Sequence, residues 1–239
     1  DYDGTLAEFA ETPDEINPDF EVIHILRLLV QIPEIEVAVI SGRKLDHIRS
    51  LIPIKGIWRA GTYGIEIEAP NGKLFHLESY LEIRSDIKKI KKEIKPLIDA
   101  YPDIYLEDKG WSIALHGKRA ENTVVASMFK ETKMLLDEIE YKKNKFRLNE
   151  GRKFLEISPE KANKGVAIDY ILTQFRNKKI LPIFIGDDER DEEGFDALNN
   201  NGGISIKVSK KEVPTKAVLR LENTQAVRKL LLTIIKKYN

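Results

Sequence analysis

Asp1-Tyr2-Asp3-Gly4-Thr5-Leu6 sets two carboxylates two residues apart and follows them with a glycine and a hydroxyl. On extended backbone, residues i and i+2 share a face, so Asp1 and Asp3 can converge on one metal ion or substrate. Gly4 lets the backbone turn and come close to a phosphate. An Asp carboxylate in such a setting can attack phosphorus and form an aspartyl-phosphate, dividing one hard displacement into two easier ones. The same residue types also suit an acidic turn, and the rest of the chain has to choose. Asp1 at a strand tip implies an apolar strand upstream of it. That the natural chain carries such residues is an expectation for intact-mass measurement.

Two further junctions have a similar make-up. Glu36 to Ile40 is short, apolar and β-branched, as a buried parallel strand is. It ends in Ser41-Gly42-Arg43, ahead of a helix from about Lys44 to Leu51. Strand, Gly-containing turn and helix can hold an anion through a hydroxyl and backbone N–H groups, although Ser41 alone fits a simple turn as well. Ile180 to Ile185 ends in Gly186-Asp187-Asp188-Glu189-Arg190-Asp191-Glu192, five acidic residues in seven positions. Such a cluster repels itself unless a cation or a basic side chain compensates it. A solvated acidic helix start accounts for it equally well. Asn163-Lys164-Gly165 opens the helix that precedes this strand and runs to about Phe175.

Around these junctions strand and helix alternate. Asn17-Pro18 offers a cap and a first-turn proline for a helix with apolar Phe20, Ile23, Leu26 and Val30. Gly56 to Gly64 reads as a strand and loop. Ile65 to Glu68 and Lys73 to Leu77 form a hairpin about Pro70-Asn71-Gly72. A helix with a solvated Lys and Glu face follows, from about Tyr80 to Ala100. Gly203 to Val208 gives a further strand and Asn223 to Tyr238 a terminal helix. The middle of the chain differs. Ile104 to Glu107, Trp111 to His116, Lys145 to Asn149 and Lys153 to Ser158 are predicted strands. They join at Asp108-Lys109-Gly110 and Glu150-Gly151, with a helix from about Asn122 to Ile139 between the hairpins. Hairpin, helix, hairpin predicts an antiparallel sheet backed by helices. The expected organisation is an α/β core over residues 1–80 and 159–239, with an α+β cap inserted over 81–158.

Lys plus Arg and Asp plus Glu number 39 each, so no net basic field draws the chain to nucleic acid or an anionic membrane. The absence of cysteine excludes disulfides and thiolate metal sites. The four histidines form no His-x-x-x-His pair. No apolar run has membrane-spanning length and no secretory leader is visible. A cytoplasmic protein with neither nucleic-acid nor membrane partners is expected.

Open α/β sheets gather ligand sites beyond the carboxyl ends of their strands, so the junctions can meet. Together, Asp1-Tyr2-Asp3-Gly4-Thr5, Ser41-Gly42-Arg43, Lys164 and Gly186-Asp187-Asp188 resemble the haloacid dehalogenase superfamily of phosphatases. The resemblance implies a Rossmann-like core, a cap domain and a Mg²⁺-dependent phosphoaspartyl mechanism. Within that superfamily the chain is similar to the trehalose-6-phosphate phosphatases. The similar stretches are Val39 to Arg43, Arg59 to Glu66, Leu106 to Gly110, Ala114 to His116, Glu156-Ile157, Asn163 to Gly165, and Phe184 to Asp188 with Asp191-Glu192. Tyr63 stands where that family usually has His, and Arg190 where it usually has Thr.

The resemblance implies roles for named residues. Asp1 is the nucleophile, and Asp3 protonates the leaving sugar oxygen before activating water. Mg²⁺ is held by the Asp1 carboxylate, the Asp3 backbone carbonyl and Asp187. Ser41 and Lys164 hold phosphoryl oxygens, and Asp188 and Asp191 orient Lys164 or metal-bound water. Gly4 and Arg43 line the phosphate side, whereas Glu107, Lys109 and Glu156 of the cap bind sugar hydroxyls. For Glu107 and Lys109, pairing across an exposed turn is the plainer alternative. The implied reaction is hydrolysis of trehalose 6-phosphate, with a trehalose-6-phosphate synthase as a candidate partner. Another sugar phosphate, such as sucrose 6-phosphate or a mannosyl phosphoester, is the alternative substrate. A non-catalytic sugar-phosphate sensor would have lost Asp1, Asp3 or Asp187, and all three are present.

Overall fold

The computed structural model describes residues 1–8, 17–138, 145–151 and 153–238. In chain order its elements begin with α1 (Phe20–Val30), β1 (Ala38–Ile40), α2 (Leu45–Leu51) and β2 (Trp58–Gly61). The β3 (Glu66–Glu68) and β4 (Leu74–His76) hairpin follows, then α3 (Tyr80–Asp99), β5 (Tyr105–Asp108), β6 (Ile113–His116) and α4 (Asn122–Glu138). The chain continues through β7 (Phe146–Gly151), β8 (Phe154–Pro159), α5 (Lys164–Thr173), β9 (Ile183–Gly186) and α6 (Asp191–Asn200). It closes with β10 (Ile204–Val208), β11 (Leu219–Leu221) and α7 (Thr224–Tyr238). Ile139, the expected last residue of α4, lies outside the described residues. Among the described residues no helix is long and apolar enough to cross a membrane.

Asp1–Leu77 and Asn163–Asn239 form one compact unit and Glu78–Ala162 a second. In the first, β1 and β2 run parallel with Ala38 opposite Trp58 and Ile40 opposite Ala60. The β3–β4 hairpin continues this sheet antiparallel from β2. A second, all-parallel sheet has the order β11-β10-β9. The backbone nitrogen of Asp1 donates to the carbonyl of Ile185 at 2.9 Å, tying the opening stretch to β9. Tyr2, Leu6, Ile25, Leu26, Val39 and Val227 share one buried core. Burial on this scale is the main favourable term holding the unit together.

Local differences from the expectations have local causes. Helix α1 is capped by Asp19, whose Oδ1 accepts the N–H groups of Glu21 (3.0 Å) and Val22 (3.2 Å), so Asn17 and Pro18 lie outside it. Phe20, expected on the buried stripe, is 85% exposed, and the helix instead buries Val22, Ile23, Ile25, Leu26 and Leu29. The unexpected β11 is three residues long and, among the described residues, pairs with β10 at the edge of its sheet. That is too short to show a strand's alternation.

The second unit is an antiparallel sheet of order β5-β6-β8-β7 with helices α3 and α4. The buried α3 residues Ile83, Ile87, Ile90, Ile94 and Ile98 recur at helical spacing. Asp108, at the end of β5, takes both Nη1 (2.6 Å) and Nη2 (3.0 Å) of Arg84 and the ammonium of Lys91 (2.9 Å). Both partners lie on α3, so the pairs fix the β5–β6 turn to that helix.

Candidate active site

The opening stretch forms a tight loop. Tyr2 is buried, and its carbonyl accepts the N–H groups of Leu6 and Ala7, each at 2.9 Å. Gly4 takes φ 73°, a left-handed turn that costs glycine nothing. The carboxylate of Asp1 is held on both sides. Lys164 donates to its Oδ1 at 2.8 Å, and the hydroxyl of Thr5 lies 3.2 Å from its Oδ2 and 3.4 Å from Oδ1 of Asp187. Thr5 thus joins the functional residues, and its place directly after Gly4 is the signal for it in the sequence.

Lys164 is the first residue of α5, set by the Asn163 cap that accepts from Gly165 N–H (2.7 Å) and Val166 N–H (3.2 Å). Its ammonium also donates to Oδ1 of Asp191 at 2.5 Å. The acidic run after β9 is a wrapped loop that leads into the first turn of α6, a helix start as the composition allows, but one whose leading carboxylate is buried rather than solvated. Asp191 is fully buried, and its Oδ2 accepts the N–H groups of Asp187 (2.9 Å) and Asp188 (3.0 Å). Oδ1 of Asp188 accepts from Arg190 N–H (2.9 Å) and Asp191 N–H (3.1 Å).

The charges in this cluster are unequal. Burial opposes the charge on Lys164, but Asp191 and Asp188 outweigh it and hold the amine above its usual range. Burial likewise opposes ionisation of Asp188, yet Lys164 and Arg190 keep it well below the usual carboxylate range. At Asp187 Lys164 acts in the same direction but is outweighed. Burial, with the charges of Asp188 and Asp191, pushes Asp187 up to about 7.

Asp3 has a separate partner. Arg43 takes its carboxylate with two prongs, Nε to Oδ2 and Nη2 to Oδ1, both at 2.7 Å. Asp1 groups with Asp187 and Asp191, one ligand atom from each lying within 4.8 Å of the others. Nη1 of Arg43 lies 3.1 Å from Nδ1 of His47, a neighbour the sequence reading did not include. Ser41 is buried at the end of β1, and its Oγ accepts the N–H of Arg43 at 3.2 Å. The structure thus brings Asp1, Lys164, Asp187, Asp188 and Asp191 into one cluster and Asp3, Ser41 and Arg43 into another.

The two residues singled out as departures touch each other. The phenol oxygen of Tyr63 accepts from Nη1 of Arg190, whose guanidinium lies 4.8 Å from the ring centroid. In the second unit, Glu156 is fully buried on β8, where it accepts from the Ser112 hydroxyl at 2.5 Å and pairs with Lys109 at 3.2 Å. Glu107 pairs with Nε2 of His116 at 3.0 Å, and Lys109 also lies 5.6 Å from the centre of the Phe154 ring.

The trehalose-phosphatase family model matches residues 1–225. The chain belongs to the trehalose-phosphatase family. It is 30% identical to trehalose-phosphate phosphatase B of Arabidopsis thaliana, over 97% of this chain and 64% of that one. It is 31% identical to the trehalose-6-phosphate phosphatase of Escherichia coli K12, over 87% of this chain and 75% of that one. The chain therefore spans about two thirds to three quarters of the length of these relatives. The solved C-terminal domain of Candida albicans trehalose-6-phosphate phosphatase shares its fold, with TM-score 0.86 and 20% identity, over 98% of this chain and 90% of that one. The expected α/β core is the architecture found, and it is shared with solved trehalose-6-phosphate phosphatase structures.

A divalent cation, which the trehalose-phosphatase family implies, suits this cluster. Asp1 and Asp187 present hard carboxylate oxygens beside each other. Both oxygens of Asp191 are engaged, one by Lys164 and one by two backbone N–H groups. The penalty that raises Asp187 is of the kind a bound cation removes.

Proposed function

We propose that this chain hydrolyses trehalose 6-phosphate to trehalose and phosphate, through an aspartyl-phosphate on Asp1. The supporting observation is the Asp1 carboxylate, fixed by Lys164 and Thr5 beside the acidic loop of a trehalose-phosphatase family member. Held on both sides, the carboxylate has one orientation from which to attack phosphorus in line. Lys164, kept charged by Asp191 and Asp188, offsets negative charge on the phosphoryl oxygens. Ser41 already accepts the Arg43 N–H at Oγ and keeps its hydroxyl hydrogen for a phosphoryl oxygen. Asp3 delivers a proton to the departing sugar oxygen and then takes one from the water that cleaves the phosphoaspartate. Arg43 orients Asp3 through its two-pronged contact.

Mg²⁺, held by Asp1, Asp187 and the Asp3 carbonyl, would offset the repulsion between an anionic nucleophile and a phosphate. Glu107, Lys109 and Glu156 read the sugar hydroxyls. The reading includes a cytoplasmic reaction, with a trehalose-6-phosphate synthase as partner. A turnover assay over trehalose 6-phosphate, sucrose 6-phosphate and a mannosyl phosphoester, with and without Mg²⁺, tests it. Metal-dependent release of phosphate from trehalose 6-phosphate above the other esters is the expected result. Preference for another ester would overturn the substrate, and full turnover in chelator would overturn the metal.

A further inference from the structure

Thr62 and Tyr63 both have positive φ, 47° and 56°, although neither is glycine. A β-branched residue there is strained, and such strain persists only where the surroundings over-determine it. The surroundings here are the Ser41 loop. Thr62 N–H donates to the carbonyl of Arg43 at 2.7 Å, and Tyr63 N–H to the carbonyl of Ser41 at 2.9 Å. The buried Tyr63 ring lies against Gly42, where an added Cβ would come within 2.6 Å of the ring carbons. Only glycine fits beneath it. The phenol oxygen, 2.7 Å from the same added Cβ, accepts from Arg190. Arg190 in turn sends Nε and Nη2 to Oδ2 of Asp188, at 3.0 and 2.9 Å. Asp188 neighbours Asp187, and the N–H groups of both are pinned by Asp191.

We infer that Tyr63 and Arg190 are one positioning unit that fixes Ser41 relative to Asp187. The backbone of Tyr63 holds the loop that carries Ser41, and its side chain reaches, through Arg190, the loop that carries Asp187. Neither residue is assigned contact with the reacting atoms. Their effect is on the spacing of the groups that hold the phosphoryl oxygens and the metal. Small errors in such spacing are costly, an ångström being worth about a hundredfold in rate. The two side chains are complementary, Tyr63 supplying the acceptor and the ring and Arg190 the guanidinium. The inference rests on reading the core as the phosphoryl-transfer site.

Tyr63→Phe is the discriminating variant, because it removes one hydroxyl, keeps the ring over Gly42 and changes no charge. It should lower kcat for trehalose 6-phosphate about tenfold, with KM changing less than about twofold. Calorimetry gives a reading independent of turnover. Orthovanadate, which adopts the five-coordinate geometry of in-line attack, should bind about tenfold more weakly in the presence of Mg²⁺, whereas inorganic phosphate should change little. Arg190→Gln should lose at least as much kcat, and adding Tyr63→Phe to it should cost nothing further, since the hydroxyl then has no guanidinium to hold. Arg190→Lys should restore only part, because an ammonium cannot reach Asp188 and Tyr63 as a fork. Unchanged kcat and vanadate affinity in Tyr63→Phe would overturn the inference, as would losses that multiply in the double variant. A lowered melting temperature with unaltered kinetics would assign the pair to packing alone. A wild-type protein that hydrolyses no sugar phosphate would defeat the proposed function instead, and the vanadate measurement would still judge the pair.

Discussion

Lys164 donates to Asp191 at 2.5 Å, and neither side chain is more than 3% exposed. Removing either charge strands the other where water does not reach. Asp191→Asn should cost about 3 kcal/mol of stability, the low end for a broken buried pair because Asp1 still faces the lysine. Turnover should fall with it, since Lys164 loses its fixed position. Denaturant unfolding and a phosphatase assay on the same preparation check both. A variant as stable and as active as the parent would refute the arrangement.

Asp1→Asn keeps the shape of the nucleophile and removes its charge, so turnover should collapse while the fold survives. Asp3→Asn cannot donate the proton, a loss of about a hundred- to ten-thousand-fold. The two variants should differ in a trapping experiment. Radiolabel from the phosphoryl group should appear on Asp3→Asn protein after a rapid quench and never on Asp1→Asn. Label on folded Asp1→Asn would place the nucleophile elsewhere.

Asp187 keeps its proton up to about pH 7, against an ordinary value of 3.8. A carboxyl raised in the fold adds stability below its ordinary value and loses that contribution as the pH rises through about 7. Metal binding requires the ionised form. Mg²⁺ affinity should therefore climb with pH and level off above about 7, and binding at pH 6 should release protons. Calorimetry in two buffers of different ionisation enthalpy measures that release. Identical binding heats in both buffers would exclude it.

Glu107→Ala and Glu156→Ala should both lower kcat/KM for trehalose 6-phosphate far more than for p-nitrophenyl phosphate, because sites built to bond hydroxyls lose much when one partner goes. They should differ in stability. Glu107 is partly exposed, whereas Glu156 is buried with Ser112 and Lys109. Only Glu156→Ala should unfold at markedly lower denaturant, and Glu156→Gln should recover part of that loss. Equal losses on both esters would show that neither side chain selects the sugar.

Asp108 is set below the ordinary carboxylate range: burial raises it, but hydrogen bonds from Arg84, Lys91 and the Gly110 N–H, with the charge of Arg84, together outweigh burial. Its contribution to stability is present above about pH 4 and is lost as the pH falls below that. Asp108→Asn should destabilise the cap by about 1–3 kcal/mol and flatten its acid sensitivity. Circular dichroism melts at pH 3 and pH 7 would show this, and an unchanged difference between them would contradict it.

The junctions were legible because each is marked locally. A β-branched run before Ser41-Gly42-Arg43, an Asn cap before Lys164 and an acidic turn after Ile185 need no knowledge of what lies opposite. Partner choice was not legible. The carboxylate of Asp3 goes to Arg43, 40 residues on, because side-chain direction follows tertiary packing. Tyr63 and Arg190 are separated by 127 positions, and each alone looked like an unrelated substitution. At α1, Asn17 and Asp19 are both competent caps, and local rules do not choose between them. The buried state of Glu156 was hidden for the same reason, since a charged residue on a strand says nothing of the Ser112 and Lys109 that wait for it.

The insertion of Glu78–Ala162 between the two halves of the core has a consequence for the order in which the protein takes shape. The inserted unit is one continuous stretch, and its contacts span less of the chain, Ser112 meeting Glu156 across 44 positions and Asp86 meeting Lys145 across 59. The cluster around Asp1 is the reverse, since Asp1 meets Lys164 across 163 positions and Ile185 across 184. Closing so long a loop carries an entropy cost that the contacts repay only once both ends are present. On the ribosome, the carboxylate of Asp1 has to wait for Lys164, 163 positions on, before it is compensated, whereas Asp3 meets Arg43 far earlier. In refolding, the cap's sheet and helices should gain amide protection ahead of the Asp1 loop, and phosphatase activity should be the last signal to return.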